Sequence, residues 1–89
     1  MSIRALRTLI AIHRYGSFRT AAEAENLTPA AVSQQMRSLE ETWSLDLFER
    51  SSRTPKLTET GLALVGEAAS VIAAYDGLAD KVSARDELS

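Results

Sequence analysis

Between residues 3 and 43, apolar residues recur at the three- and four-residue spacing of helices. Ile3, Leu6, Leu9, Ile10 and His13 share one face and predict a first helix over Ile3–Tyr15, with Arg4, Arg7 and Arg14 outside that face. Gly16 ends this helix, because glycine adopts left-handed backbone angles at low cost. Phe18, Ala21 and Ala22 are the inward positions of a short second helix over residues 18–25, and Leu27 fills the corner of the turn after it. Val32, Met36 and Leu39 form the buried stripe of a third helix, Pro29–Trp43. Ala30, Ser33, Gln34 and Arg37 then point away from the core.

The start signals agree with this pattern. Ser17 and Thr28 each precede a predicted helix, where a side-chain oxygen satisfies an orphan backbone N–H. Pro29 follows Thr28 and suits the first helical position, where its missing N–H costs nothing. After Trp43, the short pieces 44–50 and 56–58 flank a polar turn, Ser51-Ser52-Arg53-Thr54-Pro55. They predict a small β-hairpin, or wing, anchored by Leu47, Phe48 and Leu57, with Arg50, Arg53 and Lys56 projecting from it. Thr58 caps a long helix that runs to Ala84 or Leu88. Val65, Ala68, Ile72, Tyr75, Ala79 and Val82 make one stripe along it, and Leu64, Ala68, Val71, Tyr75, Leu78 and Val82 a second beside it. So broad a stripe can cover the domain's own core on one side and meet a second chain on the other.

The expected architecture is mainly α. Residues 1–58 make a winged helix-turn-helix, a three-helix core plus the wing, with the helix-turn-helix at about 18–37. Residues 59–89 make a linker or dimerisation helix. Eighty-nine residues are close to the lower size for one adequate core, and 45% apolar residues suit a folded chain. No cysteine is present, so neither disulfides nor thiolate metal ligands are expected. His13, the one histidine, is expected to pack on the apolar face, and no metal or other cofactor is expected. Glu40 and Glu41 read as a solvated pair at a helix end, and Trp43 and Tyr75 as core or interface anchors. No phosphate loop or nucleophile–base pair is evident, so an enzyme is not expected. No apolar run is expected to approach the roughly 20 residues of a membrane span. Thr8–Ile12 is too short for a signal core, which makes a cytoplasmic protein the expectation.

The capped third helix, the second of the helix-turn-helix pair, has small residues in its first turn and suits entry into the DNA major groove. Net charge, −2, weighs against nucleic acid, but its distribution softens the objection. Residues 1–57 hold eight Lys and Arg against six acids, whereas residues 58–89 hold two against six. The predicted DNA-binding part is therefore weakly basic, and its affinity for DNA of any sequence should be modest.

Seven pieces also occur in the order and at the separations of a known family. They are Gly16-Ser17-Phe18, Ala21-Ala22, Leu27-Thr28-Pro29, Ala31-Val32-Ser33-Gln34-Gln35, Leu39-Glu40-Glu41, Leu47-Phe48-Glu49-Arg50 and Leu57-Thr58-Glu59-Thr60-Gly61. Over essentially its whole length, the chain resembles the N-terminal DNA-binding domain of LysR-type transcriptional regulators. The resemblance implies a winged helix-turn-helix that binds double-stranded DNA on the nucleoid and dimerises through its long helix. It also implies a C-terminal effector-binding domain, absent from these 89 residues, through which a small molecule and tetramer formation would act. Two departures stand out. Trp43-Ser44 replaces the usual aliphatic residue and glycine, which makes a left-handed helix end costlier. Pro29 stands one position earlier than in many members, so the helix tip offers fewer polar groups and Ala30 would meet thymine methyl groups.

Site roles follow, each beside its plainer alternative. Ser33 is expected on a phosphate, by its family role, or is a solvent-facing serine. Gln34 carries an amide that pairs bidentately with adenine, whereas Gln35 reads a base or bonds within the protein. Arg37 meets phosphate, or pairs with Glu40 or Glu41. Arg53, at the wing tip, is expected in the minor groove, where a narrow groove concentrates negative potential. Arg50 touches DNA or braces the wing through an acid, and Thr54 and Lys56 reach phosphates. Ser17, Arg19 and Thr20 face a phosphate at the second helix, although capping explains Ser17 equally well. Thr28, Pro29 and Ala30 form the tip of the third helix. The dimer interface is expected at Val65, Ala68, Ile72, Tyr75, Leu78, Ala79 and Val82, and a two-fold dimer matches an inverted-repeat operator. Two rivals are a winged-helix regulator of another kind, such as a molybdate-responsive one, and a dimerising interaction module without DNA binding.

Overall fold

In the computed structural model, residues 3–51 and 54–88 are described, the side chains of 87 and 88 excepted. Helix α1 (Ile3–Tyr15) is buried along Ala5, Leu6, Thr8, Leu9, Ala11 and Ile12. This arc is rotated from the expected one. Ile12 is deep in the core, Ile3 and Ile10 are half-buried, and His13 is exposed instead of packed. The cause is tertiary: α1 is flanked by helices on more than one side, so its buried face is wider than a single amphipathic stripe. Thr8 is buried with its hydroxyl donating to the Arg4 carbonyl at 3.0 Å, which removes the cost of an unpaired polar group.

Gly16, at φ +76°, turns the chain into α2 (Phe18–Ala24), which buries Ala21 and Ala22 as expected. Asn26 takes left-handed angles after it. The Asn26 N–H then donates to the Glu23 carbonyl and the Leu27 N–H to the Ala22 carbonyl, closing the helix end. Helix α3 (Pro29–Trp43) buries Val32, Met36 and Leu39, the predicted stripe. It ends in the same way at Ser44, whose φ is +52°. The Ser44 N–H donates to Glu41 and the Leu45 N–H to Glu40. Serine adopts here the conformation that glycine holds more cheaply.

The wing is less regular than expected. Among the described residues it contains one antiparallel bridge, Phe48 with Leu57, and no β-strand. The Glu49 N–H donates to the Lys56 carbonyl at 2.7 Å, and the Thr58 N–H to the Leu47 carbonyl at 2.9 Å. The arms are only a few residues long, which leaves little backbone to pair. Leu47 is fully buried, and the Phe48 ring meets Phe18 edge to face at 5.5 Å.

Helix α4 (Glu59–Asp76) starts at the Thr58 cap, and α5 (Leu78–Leu88) continues it. The expected single helix is thus divided at Gly77, although the Gly77 and Lys81 N–H groups still reach Ala73 and Gly77 carbonyls. Glycine is the weakest non-proline helix former, which places the interruption there. At about 1.5 Å per residue this helical run accounts for most of the 56 Å long axis. Gly61 is buried against the wing root, and a Cβ there would run into the Leu47 carbonyl oxygen. Arg7 forms an ion pair with Asp76 that ties α1 to the end of α4. Its guanidinium holds the Asp76 carboxyl below the usual carboxylate range, and the pair raises Arg7 in turn.

Two expectations about this helix are corrected. The run Glu59–Asp86 is long and apolar enough, by length and composition alone, to cross a membrane. Part of that apolarity serves the fold, because Ala68 and Ile72 are buried in the same core cluster as α1. Ala68 and Ile72 therefore pack within this chain rather than lying free for the expected dimer interface, and Val65 is half-buried beside them. Val71, Tyr75, Leu78 and Val82 are more than half exposed.

Candidate nucleic-acid interface

The core holds α3 by one side only. With Val32, Met36 and Leu39 inward, Ala30, Gln34 and Arg37 are exposed on the other side and Ser33 is half-buried at its edge. The helix start is rigid: the Thr28 hydroxyl accepts the Ala31 N–H at 3.1 Å, and Pro29 occupies the first position. Arg37 donates to the Ser33 hydroxyl at 3.3 Å, joining two of the predicted contact residues on one surface.

Arg37 has no ion pair with Glu40 or Glu41 among the described residues, because Glu40 is engaged elsewhere. The Glu40 carboxylate accepts the Leu47 N–H at 2.8 Å, which corrects the expectation of a solvated pair. Sequence periodicity holds no signal for this bond, since it spans a left-handed turn. Gln35 is half-buried, and its Oε1 has no partner among the described residues. Trp43 is 40% exposed at the end of the helix, and Tyr75 is exposed on α4, so neither is a core anchor of this chain.

At the neighbouring helix start, the Ser17 hydroxyl accepts the Thr20 N–H at 3.0 Å and donates to the Thr20 hydroxyl at 2.9 Å. Capping therefore occupies Ser17, while Arg19 and Thr20 are exposed. On the wing, Thr54 and Lys56 are exposed, and Arg50 lies 3.6 Å from Asp46 with both side chains in solvent. This is the bracing contact to an acid, worth little at such exposure. Arg53 lies outside the described residues. The surface is mixed in charge: Arg37, Arg50 and Lys56 stand among Glu41, Asp46 and Glu49. Among the described residues no cluster of His, Asp or Glu is arranged to hold a metal ion.

This arrangement is a helix-turn-helix whose second helix offers an uncovered polar face, with a short wing beside it. Residues 3–62 match the bacterial regulatory helix-turn-helix proteins of the lysR family. The chain is 44% identical over 69 residues to an uncharacterized HTH-type transcriptional regulator, y4mQ, of Sinorhizobium fredii, covering 78% of this chain and 23% of that protein. Its fold superposes on the CbnR DNA-binding domain, solved in complex with DNA, with a TM-score of 0.89 and 28% identity over 97% of this chain and 99% of that one. The BenM DNA-binding domain, solved with benA site 1 DNA, gives 0.88 and 28% over 97% of each chain. The chain belongs to the LysR family and carries the DNA-binding part of a transcriptional regulator. It spans about a quarter of the length of curated relatives such as y4mQ and just over half of others it matches.

Proposed function

We propose that the chain recognises a specific sequence of double-stranded DNA as a homodimer. The exposed face of α3, with Ala30, Gln34 and Arg37 turned from a core that holds the opposite face, carries this reading. Helix α3 enters the major groove, where Gln34 pairs with adenine and Ala30 meets thymine methyl groups. Ser33 and Arg37 bind phosphate on one side and Thr54 and Lys56 on the other. Arg53 enters the adjoining minor groove. Arg19 and Thr20 approach the backbone; Ser17 and Thr28 act through their caps.

The dimer forms through the exposed stripe of Val71, Tyr75, Leu78 and Val82, whose 4,3,4 spacing is that of a helix seam. Its two-fold symmetry matches an inverted repeat. In a full-length regulator, a C-terminal domain would bind a small effector and alter the assembly, and the protein would work in the bacterial cytoplasm.

Selection of bound duplexes from a random DNA pool tests this directly. Enrichment of an inverted repeat is expected. Gln34→Ala should then relax one base position at a cost of about 1–3 kcal/mol. A folded, dimeric chain that enriches no sequence would instead make it an interaction module.

A further inference from the structure

Between α3 and the wing, the chain passes through Leu45, Asp46 and Leu47, and the last two peptide groups are held from opposite sides. From α3, the Glu40 carboxylate accepts the Leu47 N–H at 2.8 Å, and the Glu40 carbonyl accepts the Leu45 N–H at 3.0 Å. From the start of α4, the Thr58 N–H donates to the Leu47 carbonyl and the Thr58 hydroxyl donates to the Asp46 carbonyl at 2.6 Å. Gly61 packs against the same Leu47 carbonyl with no room for a Cβ. Leu47 itself is fully buried, so its N–H has no ready exchange with water, and a carboxylate is a strong acceptor for it. Glu40 is also one helical turn from Arg37, on the helix that offers the reading face.

We propose that Glu40 is a positioning residue for DNA recognition: it couples the angle of the wing to α3, so that the two elements meet adjoining grooves together. The inference rests on the DNA-binding reading above. Glu40 touches no DNA in it; its side chain sets where the arm from Phe48 to Arg50 begins. Among the described residues that arm meets the other through one bridge, Phe48 with Leu57, directly after Leu47, so a shift at Leu47 displaces the start of the paired arms.

The test uses hydroxyl-radical footprints on the selected duplex, comparing protection of the major-groove centre with protection of the flanks. Glu40→Ala should lose flank protection while the centre remains, with affinity falling about tenfold, the effect of one charge-assisted bond. Glu40→Gln keeps an acceptor oxygen at the same reach and should restore both. Glu40→Asp keeps the charge but falls short of Leu47, and should behave like alanine; it also replaces alanine if that variant does not fold. Exchange of the Leu47 amide, measured without DNA, should accelerate in the aspartate variant and stay slow in the glutamine variant. Centre and flank protection falling in proportion, or glutamine faring no better than aspartate, would overturn the proposal. Absence of any wild-type footprint would instead remove the DNA-binding reading, and this inference with it.

Discussion

Helices α3 and α4 both start from a threonine cap and both bury a narrow inner stripe, yet their outer faces differ in kind. Outside Val32, Met36 and Leu39, α3 turns Ala30, Gln34 and Arg37 to solvent. Outside Ala68 and Ile72, α4 turns Leu62, Val71 and Tyr75 to solvent, and the stripe continues into α5 with Leu78 and Val82. A polar outer face is stable in water and can exchange water for another polar surface. A contiguous apolar one favours contact with another protein surface. On the proposed function the two faces take separate tasks, recognition on α3 and assembly on α4–α5, within one small core.

The largest effects should come from exchanging the faces of α4. Ile72→Ala removes a buried side chain and should cost about 2–5 kcal/mol, read as a lower urea midpoint. Val71→Ala, one residue earlier, should leave that midpoint of the monomer nearly unchanged and weaken self-association in sedimentation. Equal loss of stability in both variants would mean that α4 is covered on both sides within one chain. Next comes the junction of α4 with the wing root. Gly61→Ala forces a Cβ against a backbone oxygen and should cost about 1–3 kcal/mol in thermal or urea unfolding. A neutral result would mean that the wing root yields freely. At the other end of α3, Ser44→Gly should stabilise by about 1 kcal/mol, since it relieves a left-handed residue with a side chain. A loss of stability there would assign the Ser44 side chain a role beyond its backbone.

The smallest effect concerns Asp76, whose carboxyl is held below its ordinary value mainly by the hydrogen bond from Arg7. A depressed carboxyl contributes stability above the unfolded pKa and loses it as pH falls through the lower folded value. Asp76→Asn should therefore be slightly less stable than wild type near neutrality, and the gap should close below about pH 4. A gap that is constant with pH would take the ion pair out of the stability difference. Asp76 is about half exposed and Arg7 about a third, so water screens the pair and keeps the effect small.

Much of the recognition side was readable in order along the chain. The caps at Ser17, Thr28 and Thr58, the glycine stop at Gly16 and the stripe of α3 are local signals, each decided within a turn of helix. The candidate face of α3 followed, because fixing the inner stripe fixes the outer one. Less was readable where packing comes from several sides. In α1, Ile12 rather than His13 is inward, because several neighbours compete for the helix. In α4, two adjacent apolar stripes look alike on paper, and only the seat of α1 shows that Ala68 and Ile72 belong to the core. Glu40 was read as solvated because its partner is a backbone N–H seven residues on, brought back by a left-handed turn.

The sequence by itself therefore determined the first three helices, the caps, the polar face of α3 and the family, since these depend on local backbone preferences and on residue order. Tertiary structure alone decided which side of each apolar helix meets the core, how the wing root is clamped, and which hydrophobic residues remain for a partner. Those outcomes depend on contacts between residues distant in the chain. Periodicity reports that a face is apolar, but not which surface it meets.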